Sequence, residues 1–259
     1  MKQLGILLLT LCLLGCSSDS GPNVNDDGKE ASDNITENRK SVGESASDLL
    51  DDVNYDELHI EIQYVQGLEP SASTLDHFEN FLVERLRKSG GITIELVEIP
   101  SPGQDTYSIA DVRNLEDDMR TAYNQGSTLK VFGLFLDGAY SENSENGSVL
   151  GIAYRNTSFV IFAETIREFS GQPLAPSTTV LESTVLDHEF GHLLGLVNAG
   201  TPLQSAHQDT EHGRHCTAED CLMFWTAETG EGLVNMISGG DIPELDAACL
   251  ADLQANGGR

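Results

Sequence analysis

Hydrophobic and polar residues alternate in two segments of the chain and give way to an apolar run in a third. Residues 59–65 and 92–99 alternate with the two-residue period of half-buried β-strands. Residues 129–136 are almost continuously apolar, which is typical of a central strand buried on both faces. The pattern therefore predicts three strands, the third of them inside a sheet.

Between and after these strands, the spacing of apolar residues is helical. Four helices are predicted, over residues 74–88, 109–124, 178–197 and 243–254, with Pro243 at the start of the last. Two short apolar runs at 149–154 and 159–163 flank a polar stretch at 155–158, which predicts a hairpin turn. The resulting order, β-α-β-α-β-β-β-α followed by one late helix, predicts an α+β fold.

The first residues have the pattern of an export signal. Lys2 precedes an apolar run at 4–14 that is too short to span a bilayer and fits a signal peptide. The run ends in Leu-Leu-Gly before Cys16, which resembles the lipobox of bacterial lipoproteins. That resemblance implies cleavage after residue 15 and a lipid on Cys16. The alternative is a leader that happens to contain this cysteine.

Residues 16–55 are rich in Ser, Asp, Asn, Gly and Glu and poor in apolar residues. Such a segment buries too little apolar surface to offset its ordering entropy, so a disordered acidic tether is predicted there. The folded domain is accordingly expected over residues 56–259. A lipid on Cys16 with no Asp directly after it implies a protein anchored in the bacterial cell envelope, at the outer membrane or the cell surface.

The net charge of the chain restricts which partners it can bind. The formal net charge is -28, with 14 Lys and Arg against 42 Asp and Glu. Nucleic acid is excluded as a partner because its phosphates would be repelled, and so is direct electrostatic binding to anionic lipid. The membrane is therefore expected as a partner only through the lipid anchor.

The clearest chemical signal lies in the predicted helix over 178–197. His188 and His192 are four residues apart, so a helix presents both imidazoles on one face, where they can bind one Zn²⁺. Glu189 is placed to act as general base on a zinc-activated water. The motif predicts a zinc-dependent endopeptidase that hydrolyses a peptide or protein substrate. Because it fixes only three positions, two unrelated histidines are the alternative.

A glycine extends this motif. Gly195 follows His192 by three residues, where glycine lets the chain leave a helix with positive φ. The string His-Glu-x-x-His-x-x-Gly resembles the first part of the signature of the metzincins, a clan of zinc metallopeptidases. Metzincins have their third zinc-binding histidine three residues after the glycine, and this chain has Asn198 there.

A later string resembles the continuation found in archaemetzincins. It runs His215-Cys-x4-Cys-Leu-Met223. The resemblance implies that His215 is the third zinc ligand, that Met223 forms the Met-turn beneath the metal, and that residues 198–214 are an insertion. Leishmanolysin-like metzincins also carry an insertion at this point.

Several roles remain open on the sequence. His207 and His212 are alternative third ligands, or neighbours that orient a ligand. Met223 is alternatively a core methionine beside Phe224 and Trp225.

Three cysteines follow the motif. Export to an oxidising compartment makes a disulfide between Cys216 and Cys221 plausible, with pairing of either to Cys249 as the alternative. Archaemetzincins carry further paired cysteines that complete a structural zinc site. Only Cys249 follows Met223 here, so that second site is expected to be absent.

The metzincin resemblance implies a twisted mixed β-sheet with helices, an antiparallel edge strand along the cleft, a zinc helix, a Met-turn and a C-terminal helix. One of the runs 149–154 and 159–163 would be the edge strand on which an extended peptide lies. The alternative function is a non-catalytic peptide- or protein-binding lipoprotein on the same scaffold. Asn198 and the lack of any tyrosine after Tyr154 motivate it.

Overall fold

The computed structural model describes residues 34–144, 147–237 and 240–259. Its strands are β1 (Glu57–Val65), β2 (Gly91–Ile99), β3 (Thr106–Tyr107), β4 (Thr128–Leu136), β5 (Ala139–Tyr140), β6 (Gly151–Arg155), β7 (Ser158–Phe162), β8 (Gln208–Asp209) and β9 (His215–Cys216). Its helices are α1 (Ala46–Leu50), α2 (Ala72–Arg85), α3 (Ile109–Met119), α4 (Ala163–Ser170), α5 (Thr178–Leu193), α6 (Gly230–Met236) and α7 (Ala247–Ala255). A 3-10 helix covers Trp225–Glu228, and residues 34–37 are also helical. The larger elements follow the predicted order, with α4 inserted before α5.

Five strands form one mixed sheet in the order β2-β1-β4-β7-β6. β2, β1, β4 and β7 are parallel, whereas β6 runs antiparallel to β7 and forms an edge. β4 lies in the middle and is buried along most of its length, as its apolar sequence predicts. The hairpin between the two short apolar runs is confirmed, and the first run supplies the edge strand.

The polar side of β1 is buried at Glu61 and Gln63, which the alternating pattern did not predict. Glu61 is fully buried and accepts hydrogen bonds from the backbone N–H of Thr121 at 3.1 Å and of Ala122 at 2.9 Å. These two amides are available because α3 ends at Met119. The predicted helix to residue 124 is therefore too long, since the chain turns away to bind the Glu61 carboxylate.

Other helix boundaries also differ from the predicted ones. α2 ends at Arg85 because Leu86 is extended, and α5 ends at Leu193, just before Gly195 adopts a φ of 71°. α7 begins at Ala247 and not at Pro243. The Asp246 side chain accepts a hydrogen bond from the backbone N–H of Cys249, which makes Asp246 the N-cap.

Residues 34–55 belong to the folded domain, so the tether predicted for residues 16–55 is wrong over that range. Ala46, Leu49 and Leu50 are at most 4% exposed, and the two leucines join the main core. The segment is polar on average, but these apolar residues have the i, i+3, i+4 spacing that puts them on one helix face.

Polar contacts also hold this segment. The buried Asn38 side chain donates hydrogen bonds to Asn124 Oδ1 and to the backbone carbonyl of Lys130, both at 2.9 Å. The folded domain therefore begins well before residue 56. The signal peptide and Cys16 lie outside the described residues.

Within the described ranges, no helix combines the length and the apolar character needed to cross a bilayer.

We expect Leu50→Ala to lower the free energy of unfolding by about 2–5 kcal/mol, because it removes a fully buried side chain. Val53→Ala is the matched control, since Val53 is 80% exposed and its truncation should change stability by less than about 0.5 kcal/mol. Urea denaturation followed by circular dichroism measures both. Equal stability of the two variants would show that α1 does not pack on the core.

Candidate metal centre

Helix α5 places two imidazoles side by side inside the protein. Ser177 caps its N-terminus by accepting a hydrogen bond from the backbone N–H of Val180. His188 is fully buried, His192 is 9% exposed, and their Nε2 atoms are 3.1 Å apart. The spacing of four residues therefore produces the pair that the sequence predicts.

His215 joins this pair from β9. Its ring centroid is 5.3 Å from that of His188 and 5.1 Å from that of His192. Strand β9 pairs with β8 in a short antiparallel hairpin, which brings the end of the predicted insertion back to α5. Of the three downstream histidines, His215 is the one that the structure brings to the pair.

Backbone carbonyls set the orientation of two of the rings. His188 Nδ1 lies 2.7 Å from the carbonyl oxygen of Leu222, and His215 Nδ1 lies 2.7 Å from that of His212. A carbonyl only accepts, so each Nδ1 must carry the proton. In the neutral rings the Nε2 lone pairs are then free to bind a metal.

Burial keeps the two α5 histidines uncharged. It lowers the pKa of His188 to about 4, and burial together with the neighbouring His188 and His215 lowers the pKa of His192 well below its usual value. Burial acts in the same direction on His215, but the adjacent Glu228 carboxylate outweighs it and raises the pKa of that ring. Neutral imidazole is the form that binds a metal ion.

Glu189 lies between the histidines and the edge strand. Its Oε2 accepts a hydrogen bond from the backbone N–H of Ala153 in β6 at 2.6 Å. Its Oε1 is buried and has no hydrogen-bond partner among the described residues. Burial, reinforced by the charge of Glu228, raises the pKa of the Glu189 carboxyl well above its usual value.

Glu228 is a member of the cluster that the sequence analysis missed. Its Oε2 is 3.5 Å from His215 Nε2 and 3.9 Å from His188 Nε2. It lies at the end of the 3-10 helix, five residues after Met223, where no recognised motif marks it among 42 acidic residues. Sequence spacing alone gave no signal for it.

The donor set fits a zinc ion. The ligand atoms of His188, His192, His215 and Glu228 all lie within 4.8 Å of one another. Three imidazoles with a carboxylate are ligands that Zn²⁺ accepts. The buried Nε2 of His215 has no hydrogen-bond partner in the described chain, which leaves its lone pair available.

Met223 packs beneath the helix. It is fully buried, and a Cβ on Gly191 would collide with its Sδ. Glycine at that position therefore allows the methionine to approach α5 next to His192. No motif in the sequence marks Gly191 for this role.

The other predicted positions lie elsewhere. Asn198 is exposed, and its side chain donates a hydrogen bond to Gln208 Oε1 at 3.4 Å. His212 stacks on Trp225 with ring centroids 4.3 Å apart and pairs with a nearby carboxylate. Neither side chain belongs to the histidine cluster, although the carbonyl of His212 orients His215.

The predicted disulfide between Cys216 and Cys221 is not formed. Cys216, Cys221 and Cys249 are buried free thiols, and the Sγ atoms of Cys221 and Cys249 are 3.7 Å apart, far beyond a sulfur–sulfur bond. β9, the turn that follows it and the N-terminal end of α7 bring the three thiols together with the Asp246 carboxylate, and these ligand atoms lie within 4.8 Å of one another. Three thiols that converge on one point favour metal binding over a single disulfide.

His207 lies beside this second cluster. Its side chain is buried, and its Nε2 is 3.7 Å from Cys249 Sγ and 3.3 Å from Asp252 Oδ2. Three cysteines and one histidine form a common structural zinc ligand set. The sequence predicts no second zinc site here, yet the structure brings three thiols and the Asp246 carboxylate together with His207 beside them.

We expect His215→Ala to remove one bound metal ion, because it deletes one of three converging imidazoles. His212→Ala should keep that metal, since its ring faces Trp225, and Cys249→Ser should remove a different metal ion from the thiol cluster. Mass spectrometry of metals in the purified variants measures each loss. Loss of the same metal with His212→Ala as with His215→Ala would contradict the assignment.

Comparisons with known proteins give the fold. No protein-family model matches the chain, and no curated protein matches its sequence. Among solved structures, an archaemetzincin from Methanopyrus kandleri matches with a TM-score of 0.51 and 16% identity, covering 78% of this chain and 96% of that one. Metalloproteinase-II from Bacteroides fragilis matches with a TM-score of 0.42 and 16% identity, covering 78% of this chain and 54% of that one. The chain thus shares with the archaemetzincin a fold of helices around a mixed sheet.

Proposed function

We propose that this protein is a zinc-dependent metalloendopeptidase, anchored to the bacterial cell surface through a lipid on Cys16. One observation carries the proposal: three imidazoles with ring centroids 4.8–5.3 Å apart and the Glu189 carboxylate converge beside the edge strand of the sheet. A metallopeptidase needs such an arrangement, because the metal and the base must meet the substrate at one point.

His188, His192 and His215 would hold the zinc through Nε2. A zinc ion there would polarise the scissile carbonyl and make a water molecule acidic enough to lose its proton near neutral pH. Leu222 and His212 contribute only their backbone carbonyls, which fix the tautomer and direction of two rings. The geometry of the site is therefore set by main-chain atoms.

Glu189 is proposed as the general base. Its Oε2 is held by the Ala153 amide, so Oε1 is left to take the proton from the attacking water and return it to the leaving nitrogen. Burial raises the pKa of Glu189, which makes the carboxylate a stronger base than an exposed glutamate.

The substrate is proposed to lie along β6. A cavity of about 260 Å³ is bounded by Ile152, Ala153, Glu189, His192 and Glu228. An extended peptide that adds to the edge strand would thus pass directly over the base.

A second zinc is proposed in the thiol cluster. Cys216, Cys221 and Cys249 would bind it, with either Asp246 or His207 as the fourth ligand. Its role would be structural, because all four positions are filled by protein. Cys216 is adjacent to His215, so this zinc would also fix the strand that carries the third catalytic-site ligand.

A non-catalytic binding protein on the same scaffold remains the second candidate, and Glu228 favours it. With three histidines, Glu228 would make four protein ligands and close the position that a catalytic zinc keeps open. Glu189 opposes this candidate, because a closed structural site has no use for a buried base.

Glu189→Gln should reduce cleavage of a fluorogenic peptide library at least about 100-fold while metal content stays unchanged, because it removes the base and no ligand. Glu231→Gln is the matched control, since Glu231 is an exposed glutamate on α6 and should keep full activity. Undiminished cleavage by Glu189→Gln would remove the proposed mechanism.

The coordination state separates the two candidates. In the cobalt-substituted protein, acetohydroxamate is expected to change the visible absorption spectrum, because a catalytic site has a position open to an added ligand. A wild-type spectrum that does not respond, together with a response in Glu228→Ala, would instead support the binding protein.

A further inference from the structure

A larger cavity continues from the metal site along the edge strand. Its volume is about 720 Å³, and it shares Val42, Ile152, Ala153 and Arg214 with the smaller cavity at the histidines. The two cavities therefore form one groove beside β6, which we name the β6 groove. A peptide held over Glu189 would extend into its larger part.

The larger part of the groove is basic. Five cationic residues line it: Arg39, Lys40, Arg113, Arg155 and Arg214. None of the described residues that line it is acidic. The whole chain has only 14 Lys and Arg against 42 Asp and Glu, so more than a third of its cations surround this one cavity.

Three of these cations are partly neutralised from outside the groove. Arg39 and Arg155 both pair with Asp117 at 2.7 Å, and Arg155 also pairs with Glu116 at 3.0 Å. Lys40 pairs with Glu37. These residues shape the wall, but their charge is shared with carboxylates.

Arg113 and Arg214 are not neutralised in this way. Each is exposed, and each donates to a backbone carbonyl: Arg113 to Tyr154 at 3.0 Å and Arg214 to Val42 at 3.4 Å. Neither forms an ion pair with a described carboxylate. Their charge is therefore available to a ligand in the groove.

The backbone pairing of the edge strand β6 changes close to these two arginines. Pairing of β6 with β7 is irregular between Ala153 and Arg155, as in a β-bulge. Within this irregular stretch the Tyr154 carbonyl accepts a hydrogen bond from Arg113, so a peptide there loses a main-chain partner and meets a guanidinium. Bulges beside active sites commonly redirect side chains in this way.

We propose that the β6 groove selects peptides with Asp or Glu side chains within about three residues of the scissile bond, through Arg113 and Arg214. The inference rests on the proposed peptidase function and names its substrate class. The Ala153 amide donates a hydrogen bond to Glu189, so Ala153 marks the position of the scissile bond along β6. Successive strand residues are about 3.3 Å apart, so the two arginines lie beside substrate residues close to that bond. The net charge of -28 repels acidic peptides from the protein in general, whereas the larger part of the groove is lined by cations and by no described carboxylate.

Binding to the inactive Glu189→Gln protein tests the preference without any cleavage. Three fluorescent peptides of equal length, blocked at both ends, carry Glu, Gln or Lys at the same positions. The Glu peptide should bind roughly three- to tenfold tighter than the Gln peptide, and the gap should narrow in high salt. Equal affinity for all three peptides would overturn the proposal.

Substitutions of the two arginines test whether they cause the preference for acidic peptides. Arg113→Gln with Arg214→Gln should abolish the preference, whereas the two Lys substitutions should keep it because the charge remains. Arg87→Gln with Arg167→Gln is the matched control: both are exposed, both donate to backbone carbonyls, and both lie outside the groove. A preference that survives loss of Arg113 and Arg214 would overturn their role.

Cleavage by the wild-type protein separates this inference from the proposed function. Tight binding of the acidic peptide without cleavage of any peptide would remove the peptidase and leave the selective groove. Cleavage of all three peptides at one rate, with equal affinities, would leave the peptidase and remove the selectivity.

Discussion

Helix α5 is buried along almost its whole length, and the site exists because of that burial. Every residue from Leu181 to Leu193 is buried, including two histidines and Glu189. Away from water, imidazoles lose their protons readily and a carboxylate holds its proton more tightly. A helix that was apolar on one face only would expose these groups, and their pKa values would return to ordinary ones. The opposite shifts of His188 and Glu189 thus follow from one packing arrangement.

The site also depends on β9, which has only two residues. His215 faces the histidine cluster and Cys216 faces the thiol cluster, because successive side chains of a strand point to opposite sides. Backbone pairing alone would not hold such a short strand rigidly. Ligand clusters on its two faces would fix it in place, so the two proposed metals would stabilise the same turn.

Much of this arrangement could be read from local patterns. The strands follow from alternation and apolar runs, and the histidine pair of α5 follows from a spacing of four residues. What local patterns could not give are contacts between distant segments: Glu228 has no motif, and His207 meets Cys249 across 42 positions. Residues 34–55 were misjudged because their average polarity concealed three apolar residues on one helix face. The predicted helix ends were wrong where a distant side chain, such as that of Glu61, accepts hydrogen bonds from the backbone.

The packed position of residues 34–55 also bears on how such a protein could be released from a membrane. Arg39, Lys40 and Val42 form part of the wall of the groove, and Leu49 and Leu50 fill the core. With the proposed lipid anchor on Cys16, a proteolytic cut before residue 34 would release all the described residues of the groove wall and of the core together. A cut only a few residues later, after Lys40, would take away two cations from the wall. The proposed release from the membrane and the proposed choice of substrate would therefore depend on neighbouring positions of the chain.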